Sequence, residues 1–274
     1  MRRLIINADD FGRSAAINEA VVRAHREGVL TTASLMVNGE AVEEAVAMAR
    51  DNPALGVGLH LTLLRGRSTL DAGEIPGLVE AGRCFPNDPV ATGCRYFFQK
   101  SLRPRLRREM AAQFEKFHAT GLTLDHVNGH LNIHLHPTIF GLLMDAAGAW
   151  GIRGLRLTRD RLRLNLRLAG GAWGYRLSHA LIFTLLSWRS RPALRSRGIS
   201  FAGSVFGLLQ NGRVDAAYVA RLLPRLPAGV SELYSHPSAR PDSAELRALL
   251  DPRVKSLLGE LDIQTVRYQD LGHG

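Results

Sequence analysis

The chain has 274 residues, 46% hydrophobic and 22% charged, an ordinary globular balance and enough length for one large α/β domain with a substantial core. Its two cysteines, Cys84 and Cys94, show no CxxC or Cys/His finger spacing, which excludes a disulfide framework or a structural zinc finger and points to a reducing compartment. The net charge of +10 is confined to one stretch, since residues 153–197 hold eleven arginines against one aspartate, Asp160, so the fold itself is not generally basic.

The N-terminal apolar run is only Leu4, Ile5 and Ile6, too short for a signal peptide. No stretch reaches the roughly 18 apolar residues of a membrane span. A soluble, cytoplasmic protein is expected. Residues 3–8 read as a buried strand, 15 to about 27 as a helix closed by Gly28, 31–37 as a strand, 39–51 as a helix and 55–63 as a strand. Strand and helix alternating over 60 residues argue for parallel βα units. An irregular stretch runs from 64 to about 104. A helix at 106–120, a strand at 122–127 and a His-rich loop follow. Pro137 opens a helix reaching about 151. Strands are expected at 151–158, 201–206, 231–236 and 263–267, with one helix at 243–258. The whole predicts a single α/β domain with a distorted (β/α) barrel-like fold, interrupted by an Arg-rich insertion at about 160–200. Catalytic groups in such folds sit at the C-terminal ends of the strands.

Four polar clusters fall at those ends. The first is Asn7-Ala8-Asp9-Asp10-Phe11-Gly12. Adjacent carboxylates face opposite ways in a regular strand, so they share a site only if the strand stops there. One of them could instead cap the next helix. The second is His60, which alternation places with Gly58 and Thr62, opposite Val57, Leu59 and Leu61. By itself it could equally be a hydrogen-bonded core residue. The third runs from Asp125 to Pro137 and holds four of the ten histidines within eleven residues. Helical spacing of His130 and His134, or extended alternation of His130, Asn132, His134 and His136, gathers imidazoles on one side. Imidazole and carboxylate ligands suit zinc and related divalent ions. In the fourth, alternation puts Glu232, Tyr234 and His236 on one face.

The segments LIINADDFG, GVGLHLTL, DHVNGHLNIHLHP and ELYSHP together resemble the YdjC-like carbohydrate deacetylases, a family similar in mechanism to the NodB-like polysaccharide deacetylases. The resemblance implies that Asp10, His60 and His130 hold a divalent ion, magnesium or zinc. It implies Asp9 as general base and His236 as general acid. Asn7, Asn128, His134 and Glu232 are then expected to serve the substrate or support these groups, and Glu232, two residues before His236 on the same face, is expected to orient it. Within the family the chain most resembles the hopanoid-biosynthesis-associated HpnK branch. That implies an N-acetylglucosaminyl hopanoid glycolipid as substrate, with a chitooligosaccharide as the alternative.

Residues 161–197 alternate Leu and Arg and then carry an apolar run from 177 to 188, with Trp173, Tyr175 and Trp188 near its ends. Basic residues with interfacial aromatics suit an anionic membrane surface, and so a peripheral place on the inner membrane face. A basic flap packed on the barrel is the alternative. Nucleic acid is disfavoured because the apolar run would have no use. A metal-dependent phosphoesterase needs more carboxylates than these clusters offer. Loss of Asp9 or His236 would favour a non-catalytic glycolipid-binding protein, and both are present.

Overall fold

Strand β1 (Arg2–Phe11) is buried at every residue from Leu4 onward and forms the middle of the sheet. The computed structural model describes residues 1–272. After β1 come α1 (Ala15–Arg26), β2 (Thr32–Leu35), α2 (Val42–Arg50), β3 (Gly56–Leu61), α3 (Pro89–Phe98), α4 (Arg103–Ala119) and β4 (Leu124–Gly129). The second half holds α5 (Pro137–Ala146), α6 (Leu162–Leu168), α7 (Trp173–Ser196), β5 (Ser204–Phe206), α8 (Ala216–Leu222) and β6 (Gly229–Ser235). It ends with α9 (Ala244–Leu250), α10 (Pro252–Glu260) and β7 (Ile263–Thr265).

The named strands pair in parallel in the order β4-β3-β2-β1-β6-β5, with β7 also on β1. Parallel strands covered on both faces need apolar residues on both faces, which is why LIIN in β1 shows no alternation. The sheet curls until its edges approach each other. Leu155 bridges Val127 of β4, and the backbone N–H of Val205 in β5 donates to the Arg159 carbonyl. The result is a curled parallel half-barrel, as the alternation of elements predicted.

Three expectations need correction. The stretch from 64 to about 104, expected to be irregular, holds α3, which Asp88 caps by accepting from the N–H groups of Val90 and Ala91. The strand expected at 151–158 is reduced to isolated bridges at Gly154 and Leu155. Two glycines within this stretch weaken extended pairing. The single helix expected at 243–258 is two helices. Pro252 has no N–H to continue α9, and the Asp251 carboxylate caps α10 by accepting from the N–H groups of Arg253 and Val254.

The Arg-rich insertion folds as α6 and α7. Arg176, Ala180, Ser187, Ser190 and Leu194 form the buried stripe of α7. Among the described residues no helix is long and apolar enough to cross a membrane.

Candidate active site and metal centre

The Asp9-Asp10 pair shares one site, but not because the strand stops. The register of β1 against β2 slips between Ala8 and Phe11, and Asp10 takes a left-handed conformation with φ +66°. This bulge lets both adjacent carboxylates reach side chains from β3 and β4. Aspartate tolerates the left-handed region better than most residues, at a cost of about 1 kcal/mol or more.

Asp10 Oδ1 lies 3.0 Å from His130 Nδ1 and 3.3 Å from His60 Nε2. One donor atom from each of the three residues lies within 4.8 Å of the others. His60 Nδ1 donates to Asn128 Oδ1 at 2.7 Å. The amide's orientation is fixed, because its Nδ2 donates to Asp9 Oδ1 at 3.0 Å and to Ser34 Oγ at 2.8 Å. His60 Nε2 therefore carries the lone pair of the neutral ring, and it is buried without a hydrogen-bond partner. A lone pair facing a carboxylate oxygen is repulsive unless a cation or a proton lies between them. The donor set and this orphaned nitrogen fit a divalent cation. Burial favours the neutral acid of Asp10, but the hydrogen bond from His130 and the imidazole of His60 beside it outweigh this and hold the carboxyl well below its usual range. Burial lowers the pKa of His60, and the charges of Asp9 and Asp10 reverse that and raise it.

Asp9 is held by a residue that sequence reasoning missed. Arg156, fully buried, donates to Asp9 Oδ2 at 2.7 Å and Oδ1 at 2.9 Å. Its Nε donates to Glu232 Oε1 at 2.8 Å, and its guanidinium lies over the Tyr234 ring at 4.2 Å. Asn7 Nδ2 adds a bond to Asp9 Oδ1 at 2.8 Å. Burial raises the pKa of Asp9, but Arg156, His60 and His236 outweigh it and keep the carboxylate ionised. In the sequence Arg156 is one of the eleven arginines of 153–197 and does not stand out by charge. Its signal was the alternation in GIRGLRLT, which sets it opposite Leu155 and Leu157.

His236 ends β6 at the mouth, 3.9 Å from Asp9 Oδ2 through Nε2. Glu232 does not orient it, contrary to expectation. That carboxylate is fully buried and taken up by Arg156 and by the Tyr268 hydroxyl, which donates to it at 2.5 Å. Glu245 at the start of α9 takes the place instead. Its Oε2 accepts the His236 backbone N–H at 2.6 Å and lies 3.9 Å from His236 Nδ1.

The His-rich loop is a kinked 3₁₀ turn over His130–Leu135, neither an α-helix nor an extended segment. Leu131 and Asn132 are both left-handed, at φ 52° and 58°, and the chain turns after His130. The histidines therefore scatter rather than share a side. His130 joins Asp10, while His134 is fully buried and donates from Nε2 to the Arg156 carbonyl at 2.8 Å. His136 reaches the Gly93 carbonyl at 3.0 Å, and His126 bonds Asp125 and Ser34. The ring of His126 packs so closely on β3 that a Cβ at Gly58 would stand 2.5 Å from it.

Asn7 and Asn128 are fully buried and face the carboxylates and His60 rather than open space. Above them opens a cleft of about 610 Å³. Asp9, His130 and His236 line its floor, and Leu64, Ile133, Ile182, Phe183 and Leu186 give it apolar walls, the last three from α7.

The fold and the site together define an α/β protein whose parallel strands bring two carboxylates and three imidazoles to one mouth. The sequence pattern described as YdjC-like protein matches residues 3–260, and the chain belongs to that family. A carbohydrate deacetylase of Geobacillus stearothermophilus is 31% identical over 272 residues, 98% of each chain. A carbohydrate deacetylase of Brevibacillus brevis is 39% identical over 145 residues, which is 53% of this chain and 55% of that protein. A solved structure from Enterococcus faecalis, of a protein named for cellobiose-phosphate cleavage, superposes with a TM-score of 0.75. It covers 98% of both chains at 21% identity and so speaks for the fold alone.

Proposed function

We propose that the chain hydrolyses the N-acetyl group of an amino sugar. The observation that carries this reading is the unpartnered His60 Nε2 facing Asp10 Oδ1, with ionised Asp9 beside it. Relatives named as carbohydrate deacetylases support the reaction class.

Asp10, His60 and His130 would hold a divalent ion, zinc or magnesium. Bound there, it would polarise the acetyl carbonyl and acidify the attacking water, which is what a base as weak as Asp9 requires. Asp9 accepts the water's proton, and Arg156 keeps its carboxylate ionised and aimed. Asn128 fixes the tautomer of His60. His236 donates a proton to the departing nitrogen, so that a neutral amine leaves. Glu245 holds His236 at the rim.

The substrate we infer is a glycolipid, an N-acetylglucosaminyl hopanoid, with the chain in the hopanoid-associated branch of the family. The apolar walls from α7 support it, because a chain of sugars gains little from Ile182, Phe183 and Leu186. The test is mass spectrometry of the chelated and metal-reloaded protein with an N-acetylglucosaminyl lipid and, in parallel, a chitooligosaccharide. Loss of one acetyl group and release of free acetate, from the lipid in preference, is expected. No acetate from either substrate with any divalent metal overturns the reaction class. Turnover of the oligosaccharide alone overturns the lipid.

A further inference from the structure

Helix α7 carries an outward stripe that the cleft does not use. Trp173, Leu177, Leu181, Leu185 and Trp188 recur at helical spacing, so they share one side. They are 50% to 77% exposed. Ile182, 49% exposed, borders this stripe and lines the cleft as well. From α3, Val90 is 73% exposed and lines the same cleft, and Phe98 is 75% exposed. Contiguous apolar surface of this kind marks an interaction face. It leads directly into the cleft above Asp9.

The charge around the stripe identifies what covers it. Arg163, Arg167, Arg189 and Arg195 are exposed, and no Asp or Glu occurs from 161 to 214. Two copies of the chain packed through this face would bring like charges together. Nucleic acid would satisfy the arginines and leave the leucines uncovered. Anionic lipid satisfies both, with the tryptophans at the level of the headgroups.

We propose that this face lies on an anionic lipid bilayer, with α7 in the plane of the surface and Ile182 at the point where lipid enters the cleft. The docking stands apart from the chemistry. That the bilayer supplies a glycolipid substrate rests on the deacetylase reading above.

The test is flotation of the full chain with phosphatidylcholine vesicles, with and without phosphatidylglycerol. The wild type is expected to float with the anionic vesicles, less so at high salt, and not with neutral ones. The double variant Leu181→Glu, Leu185→Glu, neither residue lining the cleft, is expected to lose at least about tenfold in vesicle affinity. Its rate on a soluble N-acetylated sugar and its thermal melt should match the wild type. If that variant misfolds, Arg163→Glu, Arg167→Glu is expected to weaken anionic binding in its place. Failure of the wild type to float, or flotation unchanged in a folded variant, overturns the proposal. So does sedimentation showing a dimer that the leucine variant splits, which would give the face to a second copy. Flotation is read without turnover, so a failed deacetylase assay and a failed docking surface are distinguishable.

Discussion

His60 Nε2 stands 3.3 Å from Asp10 Oδ1, and the hydrogen bond from His60 Nδ1 to Asn128 leaves that nitrogen without a proton in the neutral ring. Such a pair is stable only with a positive charge between its atoms. Without a metal the ring itself takes the charge, in keeping with its raised pKa. With one, the cation replaces the proton. Asn128 thus has two tasks: it sets the tautomer of His60, and it donates to Asp9.

Removing that amide should therefore be felt in divalent-ion binding at the proposed site. Asn128→Leu is expected to weaken divalent-ion affinity by about 10–100-fold, measured by calorimetry, and His130→Ala to abolish it together with activity. Full occupancy and rate in His130→Ala would remove His130 from the ligand set.

Asp9→Asn is expected to keep the ion and lose about 10²–10⁴-fold in turnover. Arg156→Met should do something different. It leaves Asp9 and Glu232 as buried charges without their partner, at a cost of about 3–5 kcal/mol in unfolding free energy. A denaturant midpoint unchanged in Arg156→Met would show that the triad carries no such energy.

The two glutamates near His236 separate by the same logic. Glu232→Gln is expected to destabilise the fold by about 1–3 kcal/mol, because the amide keeps one acceptor for the two donors, Arg156 and Tyr268, and turns an N–H group on the other. Glu245→Gln should lower kcat with a smaller effect on unfolding, since the amide oxygen can still accept the His236 backbone N–H while the carboxylate charge 3.9 Å from His236 Nδ1 is lost. Equal effects of both on stability, with none on kcat, would contradict the assignment.

Much of this site was legible in the sequence, for a physical reason. Alternation fixes which side of a strand a residue faces, and it placed His60 and His236 correctly. What escaped is what local pattern cannot encode. The bulge at Asp10 and the left-handed pair Leu131-Asn132 are set by packing between strands, so the way the carboxylates share a site and the scatter of the histidines were misread. Arg156 was hidden by its neighbours' charge. The partner of His236 was chosen from its own strand, although Glu245 comes from the following helix. The Asp251-Pro252 pair, by contrast, is a local signal that ends one helix and opens the next.

His134 makes the pH dependence specific. Burial lowers its pKa from 6.5 to about 3, so the native state carries the neutral ring. The unfolded chain binds a proton there below pH 6.5 and the native state does not. The contribution to stability is therefore whole above pH 6.5 and is lost as pH falls toward 3, on the order of 1 kcal/mol per pH unit. His134→Gln keeps a donor for the Arg156 carbonyl without a titrating ring. Its unfolding free energy should fall less than the wild type's between pH 6.5 and 5. Identical slopes would mean that His134 does not titrate as its burial requires.

The cleft walls are separable from the chemistry beneath them. Phe183 and Leu186 line the walls, but they touch neither the Asp10 cluster nor Asp9 through any hydrogen bond or ion pair. If the walls take a lipid, Phe183→Ser should raise KM for an N-acetylglucosaminyl lipid by about tenfold or more, because burying an aromatic side chain against lipid is worth at least 1.5 kcal/mol. On a soluble N-acetylated sugar the same variant should keep both kcat and KM, since the acetamide and the groups that act on it are unchanged. Equal losses on both substrates would mean that Phe183 supports the fold rather than the lipid, and would return the cleft to a sugar chain.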